Sequence, residues 1–426
     1  MWIETSKTHR KKFRKFLEYA QKHPEDIKKI NEVRVCFEPE FRVGKGSGVT
    51  GVYIALAKDG YERAVKRMSK EENEENFGSN EKKILNTRNA VNSKHVVNYR
   101  YYDEESNEHY AYLVLDLHEE TLKDHVKRES QEILTASAPV ITKQILEGLD
   151  DLHREPKPIL HRDLKPSNIL RNVQGDWLLA DFGISRMLPE GQTTHESKER
   201  GTKYWRAVES YDGGKYKKQS DIQAAGMVCF HILTKGGHPF GPEDDRVRNL
   251  RNNNSDLTCL TDPVAKDLIS WMLQHNPEDR PYAHQALKHP YLRSHSQQFE
   301  LLKGVGNQSE IKKGDSNCEV VKELICDPLL KFTWKSQILP HVLAYLCSDG
   351  KRSLSYGDEW TECLRLMRNT FQHWNERPCP RPKVHYEIGE PQEFFLKVFP
   401  TLPVVVHRVI RSEKDWKKRT ELQELF

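Results

Sequence analysis

The spacing of hydrophobic residues predicts strands in the first part of the chain and helices afterwards. Between residues 41 and 66, apolar side chains are interspersed with polar residues and glycines, which is typical of a β-sheet. Two later stripes have helical spacing: Ile141, Ile145, Leu149 and Leu152, and then Trp360, Leu364, Met367 and Phe371. We expect each stripe to be the buried face of a helix and the fold class to be α+β.

A hairpin is predicted near the middle of the chain. Two short apolar strands, Ile169–Leu170 and Trp177–Leu179, flank a segment that contains the Asn, Gly and Asp residues of a tight turn. Such a hairpin would bring together Asp163, Asn168 and Asp181. This set supplies one carboxylate that can activate a hydroxyl group and two ligands for a metal ion.

Composition restricts the remaining choices. A chain of 426 residues has room for two or three domains, and its net charge of +4 gives no overall attraction to nucleic acid. Any contact with RNA must therefore come from a local patch. The eight cysteines include no Cys-x-x-Cys pair, and no apolar run approaches the length of a membrane span. We expect a reducing compartment, a cytoplasmic location and no membrane segment in this chain.

An amphipathic helix is predicted at residues 8–23. Phe13 and Phe16 have helical spacing, and basic residues lie among them. A basic helix could contact a membrane or RNA, but the favoured interpretation is a helix packed on the following domain, with its basic face in solvent.

The two motifs around the hairpin resemble those of protein kinases. Residues 161–168 read His-Arg-Asp-Leu-Lys-Pro-Ser-Asn, similar to the catalytic loop, and residues 181–183 read Asp-Phe-Gly, similar to the metal-binding motif. The resemblance implies catalytic roles for Asp163 and Lys165, and Mg²⁺ binding by Asn168 and Asp181. Lys165 fits the serine/threonine branch of the family.

Glycines between the first predicted strands fit a loop over the phosphates of ATP or ADP. Gly44, Gly46 and Gly48 leave the register open, because either Gly44-x-Gly46 or the run from Gly46 to Gly51 can approach the phosphates. Lys66, on the next strand, is expected to neutralise these phosphates.

Two more segments complete the expected nucleotide site. Glu81, on a predicted helix, is expected to pair with Lys66, and the alternative is an ordinary solvated helix residue. The backbone of a hinge from Asp116 to His118 is expected to hold adenine.

The kinase resemblance implies an activation segment between Gly183 and Glu209, and several of its residues can be assigned a role. Thr193, Thr194 and Ser197 are either phosphorylation sites or ordinary polar loop residues. Val208 stands where the family usually has proline, which should loosen a turn. Asp221 and Arg280 match structural anchors of the family.

A cation, an amide and an imidazole lie close together in the C-terminal part. Arg368, Asn369 and His373 project away from the apolar stripe of their predicted helix. This triplet suits a phosphodiester, because the cation can hold phosphoryl oxygens while histidine moves protons near neutral pH. A solvated helix face is the alternative, since so short a motif has many chance matches.

The chain from about residue 36 resembles the kinase-extension nuclease family, which includes the unfolded-protein-response sensor kinase/endoribonuclease and ribonuclease L. The resemblance includes Asp327-Pro-Leu-Leu-Lys-Phe-Thr-Trp334, the Arg368 segment and residues 388–402. It implies a bilobal protein-kinase fold at 36–295 and an all-α nuclease domain at 296–426. Residues 1–35, with the predicted basic helix, are then an N-terminal extension.

The same resemblance implies metal-independent cleavage of RNA to 2′,3′-cyclic phosphate and 5′-hydroxyl ends. Arg368 would hold the phosphate, Asn369 would position it, and His373 would be the general acid. Tyr356 is the candidate partner of the ribose 2′-hydroxyl, although its distance from Arg368 differs by one residue from the sensor's pattern.

Three hypotheses follow from the sequence. The leading one is an autophosphorylating kinase coupled to an endoribonuclease, activated as a nucleotide-bound homodimer or higher oligomer, with RNA as substrate. The second is a nucleotide-binding pseudokinase scaffold with ribonuclease activity only, and the third is a kinase with a non-catalytic C-terminal domain. The activating input would come from the N-terminal helix or from a separate sensor or partner protein, and the chain could be the cytosolic part of a larger membrane-linked system.

Overall fold

The computed structural model describes residues 2–45, 51–71, 77–196, 201–211, 213–348, 353–377 and 379–426. Two compact units are present. One contains Met1–Leu260 and Ile269–Ala286, and the other contains Thr261–Leu268 and Leu287–Phe426. Within the described ranges, no helix is both long and apolar enough to cross a membrane.

A seven-stranded antiparallel sheet forms the first part of unit 1, in the order β1-β2-β4-β5-β7-β6 with β3 paired to β4. Its strands are β1 (Ile27–Ile30), β2 (Val33–Cys36), β3 (Arg42–Lys45), β4 (Gly51–Ala57), β5 (Glu62–Ser69), β6 (Tyr99–Asp103) and β7 (Tyr110–Asp116). The strands predicted between residues 41 and 66 are therefore present. β1 and β2 lie in the segment where the sequence pattern had indicated only a helix.

The predicted N-terminal helix is α1 (Arg10–Lys22). Phe13 and Phe16 are buried in a cluster that includes Phe41 and Ile54 of the sheet region. Because both phenylalanines are covered by protein, they are not available to a membrane or to RNA.

Helices dominate the rest of unit 1. The helices up to residue 286 are α2 (Phe77–Leu85), α3 (Arg88–Val91), α4 (Leu122–Arg128), α5 (Gln131–Leu152), α6 (Lys218–Leu233), α7 (Arg246–Arg251), α8 (Pro263–Met272) and α9 (Ala283–Ala286). The residues of α8 up to Leu268 belong to unit 2, and its remaining residues belong to unit 1. The stripe predicted for α5 is fully buried, and α5 packs against α6. Ser130 caps α5 by accepting a hydrogen bond from the amide of Ile133.

Seven short strands connect these helices, and they include the predicted hairpin. They are β8 (Glu120–Thr121), β9 (Ile159–Leu160), β10 (Ile169–Arg171), β11 (Trp177–Leu179), β12 (Arg186–Met187), β13 (His195–Glu196) and β14 (Lys215–Tyr216). β10 and β11 pair antiparallel, and the side chain of Asn172 accepts a hydrogen bond of 2.8 Å from the amide of Asp176 in the turn.

In the described residues of unit 2, the regular secondary structure is helical, apart from an isolated bridge between Ser348 and Ser353. From residue 295 its helices are α10 (His295–Gly306), α11 (Ser309–Lys313), α12 (Glu319–Cys326), α13 (Pro340–Leu346), α14 (Trp360–His373), α15 (Lys383–Ile388), α16 (Pro391–Val398), α17 (Leu402–Ser412) and α18 (Lys414–Lys417). A sheet-rich first part followed by this all-α unit confirms the predicted α+β class.

Helix α14 lies at the centre of unit 2, where it packs against α10, α11, α12 and α16. Trp360, Leu364 and Met367 are buried as predicted, but Phe371 is 36% exposed. The prediction was wrong for Phe371 because the last turn of α14 has less protein around it. Where α10 crosses α14, a Cβ added to Gly306 would lie 2.9 Å from the carbonyl oxygen of Leu364. Only glycine therefore lets α10 approach α14 so closely.

Candidate functional site

A buried carboxylate fixes the backbone that carries the predicted catalytic loop. Asp221, at the start of α6, accepts hydrogen bonds from the amides of His161 and Arg162 at 2.9 and 3.0 Å. His153 and Tyr216 contact the same carboxylate at 3.0 and 2.8 Å. Burial opposes the charge, but the hydrogen bond from His153 and the other donors hold the pKa of Asp221 below its usual value. The predicted anchor role of Asp221 is therefore visible in its contacts.

Asp163 lies at the centre of a compact polar cluster. Its carboxylate accepts hydrogen bonds from Nζ of Lys165 at 2.7 Å and from Nδ2 of Asn168 at 2.9 Å. Thr202 donates its amide and its hydroxyl to the other oxygen, at 2.9 and 2.8 Å. The structure thus brings three predicted residues together and adds Thr202, which the sequence analysis had not singled out.

Gly201 makes this arrangement possible. Its φ is +98°, and a Cβ there would lie 2.7 Å from the carbonyl oxygen of Arg162. A residue with a side chain would be strained in that conformation and would also push the backbone away. Gly201 therefore lets the activation segment place Thr202 against Asp163.

Lys66 contacts two carboxylates at once. Its Nζ lies 2.8 Å from Oε2 of Glu81 on α2 and 2.8 Å from Oδ1 of Asp181. Burial opposes the charge on Lys66, but Asp181 and Glu81 together raise its pKa. Burial raises the pKa of Glu81, whereas the Lys66 ammonium outweighs burial at Asp181 and lowers its pKa. Glu81 is 2% exposed, so the alternative of a solvated helix residue does not apply.

These groups line a cavity of about 410 Å³ in unit 1. Gly44, Lys66, Glu81, Asn168 and Asp181 all contribute to its wall, as does the hinge segment from Asp116 to His118. Gly46 and Gly48 lie outside the described residues, so the two registers of the glycine loop stay open.

The hinge side chains are either paired or uncharged. The carboxylate of Asp116 is bound by Arg100 through two hydrogen bonds of 2.9 Å. Burial lowers the pKa of His118 to about 4, so its imidazole is neutral at physiological pH. The hinge therefore lines the cavity with an uncharged imidazole at His118 and with an Asp116 carboxylate that is already paired with Arg100.

The residues predicted to bind a metal ion have suitable donor atoms. Asp181 uses one carboxylate oxygen for Lys66, and Asn168 uses its amide nitrogen for the backbone and side chain of Asp163. Each residue thus retains an oxygen in a cavity of mixed charge. Carboxylate and amide oxygens are the ligands that Mg²⁺ takes in proteins, so the residues fit the predicted ion.

Two residues from the N-terminal segment also line this cavity: Thr8 and His9. Nε2 of His9 lies 3.1 Å from the carbonyl oxygen of His118 in the hinge. Neither residue belongs to a recognisable motif, and the contact joins positions more than a hundred residues apart. No sequence signal would have identified them.

The turn that carries Val208 is held by two contacts. The amide of Val208 donates a hydrogen bond of 2.9 Å to Oε1 of Gln223, a donor that proline would lack. Arg280 binds Glu209 through two hydrogen bonds of 2.9 Å, in agreement with its expected anchor role. The Val208 bond opposes the loosening that the missing proline had suggested. Ser197 lies outside the described residues.

A second polar pocket lies in unit 2 and has a volume of about 350 Å³. Tyr356, Asn369 and His373 line it together. Nδ2 of Asn369 donates to the Tyr356 hydroxyl at 3.0 Å, and Oδ1 of Asn369 accepts from Nη1 of Arg368 at 2.7 Å. The one-residue difference in spacing therefore does not keep Tyr356 away from the predicted triplet.

The ionisable groups of this pocket differ in their surroundings. Burial raises the pKa of Tyr356, and the hydrogen bond from Asn369 and the nearby Arg365 only partly offset this effect. The His373 side chain is 52% exposed, and its Nδ1 lies 2.7 Å from Oε2 of Glu376 one turn later. Tyr356 thus stays protonated at neutral pH, while His373 presents its other ring nitrogen away from Glu376.

Two further residues support the pocket. Oδ1 of Asn307, just after α10, accepts a hydrogen bond of 2.9 Å from Nε of Arg368. Arg377 lines the pocket with its guanidinium 4.2 Å from the ring centre of Tyr345. Asn307 could not be found from the sequence because it lies 61 positions away, whereas Arg377 follows His373 by only one helical turn.

Comparison with known families accounts for both pockets. Residues 37–292 match the family described as protein kinase domain. Residues 298–426 match the family described as ribonuclease 2-5A. The first match contains the residues that line the cavity of unit 1 apart from Thr8 and His9, and the second contains the pocket around Asn369.

Several relatives are similar to this chain over most of its length. The serine/threonine-protein kinase/endoribonuclease IRE2 of Homo sapiens is 28% identical over 399 residues, which cover 89% of this chain and 41% of the relative. The serine/threonine-protein kinase/endoribonuclease ire-1 of Caenorhabditis elegans is 30% identical over 383 residues, covering 86% of this chain and 38% of the relative. The serine/threonine-protein kinase/endoribonuclease IRE1a of Arabidopsis thaliana is 28% identical over 293 residues, covering 65% and 34%. This chain spans about two fifths or less of the length of these relatives.

Proposed function

Because the chain belongs to the kinase-extension nuclease family, in which a protein kinase domain is followed by a ribonuclease 2-5A domain, we propose that it is an autophosphorylating serine/threonine kinase coupled to an endoribonuclease. The observation that carries the proposal is the pair of assembled polar pockets, each in one of the matched regions. We place the functional domains at 36–295 and 296–426, because the two family matches end at 292 and begin at 298.

In the kinase site, Asp163 would accept the proton of the substrate hydroxyl. Lys165 and Asn168 hold its carboxylate in place, and Lys165 also contacts the hydroxyl of Thr202 at 2.5 Å. A carboxylate held in this way can orient the hydroxyl for attack on the transferred phosphoryl group. Lys165 would then balance charge on that group.

ATP or ADP would bind in the cavity of about 410 Å³. The base would lie against the hinge, and Lys66 would contact the phosphates while Glu81 holds its ammonium in position. Asn168 and Asp181 would hold Mg²⁺, which supplies charge neutralisation to the phosphates when bound. The intact Lys66–Glu81 pair favours phosphoryl transfer over a scaffold that only binds nucleotide.

In the nuclease site, the 2′-oxygen of RNA would attack the adjacent phosphate and expel the 5′-oxygen. His373 would give a proton to that leaving oxygen, while Arg368 and Asn369 hold the phosphoryl oxygens. Tyr356, as a neutral phenol, would orient the 2′-hydroxyl through a hydrogen bond, and the proton of that hydroxyl would pass to water as the 2′-oxygen attacks. The products are a 2′,3′-cyclic phosphate and a 5′-hydroxyl, and these four side chains carry the reaction without a metal ion.

The assembly and location of the protein follow from the same proposal. The active nuclease is a homodimer or higher oligomer formed with nucleotide bound, and a separate sensor or partner protein supplies the activating input. All eight cysteines are free thiols, which supports a reducing, cytoplasmic compartment.

The test measures both activities in the same preparation. Purified protein with ATP and magnesium is assayed for autophosphorylation, and its cleavage of labelled RNA is assayed with and without a chelator. Asp163→Asn should abolish phosphate incorporation, and His373→Asn should abolish RNA cleavage while phosphorylation continues. Cleavage should persist when the chelator is added to nucleotide-bound dimers that have already formed.

Each outcome selects one hypothesis. RNA cleavage without any phosphorylation by the wild-type protein would indicate the pseudokinase scaffold. Phosphorylation without cleavage at concentrations that yield dimers would indicate a kinase with a non-catalytic C-terminal domain. Normal cleavage by His373→Asn would show that the nuclease site lies elsewhere.

A further inference from the structure

The first residues of the chain form an ordered segment that runs from the β4–β5 turn to the hinge. We call residues 2–9 the strap. At one end the amide of Ile3 donates a hydrogen bond of 2.8 Å to the carbonyl of Gly60. The carboxylate of Glu62, which is 3% exposed, accepts hydrogen bonds from the amide of Ser6 at 2.6 Å and from the indole nitrogen of Trp2 at 3.0 Å. A buried carboxylate that accepts several hydrogen bonds is a strong attachment point.

A second carboxylate attaches the other end of the strap to the hinge. Glu119, which is 7% exposed, accepts hydrogen bonds from the amides of Lys7 and Thr8 at 3.1 and 2.7 Å. His9 completes this attachment with its contact of 3.1 Å to the carbonyl of His118. The strap therefore lies along the hinge segment that lines the cavity.

Helix α1 holds the strap from behind. Phe13 and Phe16 are buried in unit 1, and Nζ of Lys12 donates to the carbonyl oxygens of Glu40 and Arg42 at 2.7 and 2.9 Å. Because α1 begins one residue after His9, these contacts fix the position of the strap's end.

The cavity keeps a useful size with the strap in place. Its volume of about 410 Å³ lies within the range of about 300–1,000 Å³ that small-molecule sites have. A segment that blocked the site would have filled this space. Thr8 and His9 instead add to the wall, so the strap narrows the open edge of the cavity without occupying it.

We propose that the strap is the outer wall of the nucleotide pocket. In this arrangement His9 and Thr8 contact the exposed edge of the bound purine, and the hydrogen bonds to Glu62 and Glu119 hold the strap in its closed position. This inference rests on the proposed binding of ATP or ADP. Nucleotide leaves when the strap opens, so the strap sets the residence time of the ligand.

The experiment measures the release of isotopically labelled ADP, with magnesium, after a chase with unlabelled ADP. His9→Ala and Glu119→Gln should each release ADP about fivefold faster than the wild type, the change expected for one lost hydrogen bond. Glu32→Gln is the matched control, because this exposed side chain pairs with Lys58 and does not line the cavity. Inorganic tripolyphosphate, which has no base, should bind equally well to the wild type and to His9→Ala.

The possible results separate the strap from the proposed function. If both strap variants release ADP at the wild-type rate, the proposal that the strap is the wall of the pocket is wrong. Slower release or tighter binding also contradicts it and would identify the strap as an inhibitory segment. If the wild type binds no ADP, the proposed nucleotide site itself fails. Thermal unfolding without ligand shows whether each variant is folded. If His9→Ala is not folded, the ADP release rate of Glu119→Gln tests the proposal.

Discussion

The phenolic oxygen of Tyr356 accepts a hydrogen bond of 3.0 Å from the amide nitrogen of Asn369. Since the amide occupies a lone pair of this oxygen, the phenolic proton is left for another acceptor. Burial raises the pKa of Tyr356, so the proton is retained at neutral pH. Tyr356→Phe should therefore reduce the initial rate of RNA cleavage by about 10- to 100-fold, while autophosphorylation is unchanged.

The matched control for this variant is Tyr386→Phe. Tyr386 lies in the same unit, and 71% of it is exposed to solvent. Its substitution should leave the cleavage rate within about twofold of the wild type, because exposed side chains without special contacts are tolerated. Equal losses in both variants would contradict a specific role for Tyr356.

A second prediction concerns the hydroxyl that contacts Asp163. Thr202→Val removes the hydrogen bond of 2.8 Å to the carboxylate and the contact with Lys165. The carboxylate then loses part of its orientation, so phosphate incorporation should fall about tenfold, with the affinity for ADP unchanged. Thr202→Ser keeps the hydroxyl and should retain most of the activity. A loss of ADP binding in Thr202→Val would point to a general disturbance of the site.

The stability of the protein should decrease with acid because of buried histidines. Burial lowers the pKa of His238 to about 3, and the nearby Arg246 adds to the effect. Its folded pKa lies below the usual 6.5, so the unfolded chain binds the proton more readily. Stability is therefore complete above about pH 6.5 and is lost as the pH falls from there towards 3, by up to about 1.4 kcal/mol per pH unit for this group.

Urea unfolding at pH 7.5 and pH 5.0 tests this expectation. His238→Gln lacks the titrating group, so its free energy of unfolding should decrease less between the two pH values than that of the wild type. The variant is also expected to be less stable at pH 7.5, because the contact of 3.0 Å between His238 and the carbonyl of Tyr204 is altered. An identical pH dependence in both proteins would exclude His238 as a contributor.

A buried charge cluster should dominate the stability of unit 2. Asp267 lies 2.5 Å from Arg411, 3.0 Å from His289 and 3.4 Å from Arg408. Burial opposes the charge, but His289 and Arg411 lower the pKa of Asp267 to about 2. Asp267→Asn leaves the Arg411 charge without its counter-ion, so the free energy of unfolding should decrease by about 3–5 kcal/mol in urea titrations.

Glu310→Gln provides the comparison for this cluster. Glu310 pairs with Arg419 at 2.7 Å, but the two side chains are 24% and 30% exposed. Because solvent screens such a pair, its loss should change the free energy of unfolding by less than about 1 kcal/mol. Similar effects of the two substitutions would show that burial does not decide the strength of these pairs.

The sequence could predict those parts of the site that depend on neighbours along the chain. The turn at Asn172 and the strands beside it are local, so the meeting of Asp163, Asn168 and Asp181 followed from turn chemistry and motif spacing. Glu81 could be assigned because it lies on a predicted helix that resembles the family's regulatory helix, although an acidic linker separates that helix from the strand of Lys66.

Contacts between distant segments could not be predicted from the sequence. Glu119 and Thr8 are 111 positions apart, and Arg368 and Asn307 are 61 apart, and no periodicity relates either pair. β1 was missed because a four-residue strand with lysine at its two central positions shows no clear alternation. Phe371 continues the apolar stripe of α14, but periodicity alone does not reveal where neighbouring protein ends.

The close approach at Gly306 has a mechanical consequence for the nuclease pocket. The backbones of α10 and α14 are in direct contact there, and Asn307 is bound to Arg368. The two helices are therefore expected to move together. A rotation of α10 cannot be absorbed by side-chain adjustment at this point, so it must carry Arg368 with it. The end of the pocket beside Arg368 is therefore coupled to the position of α10.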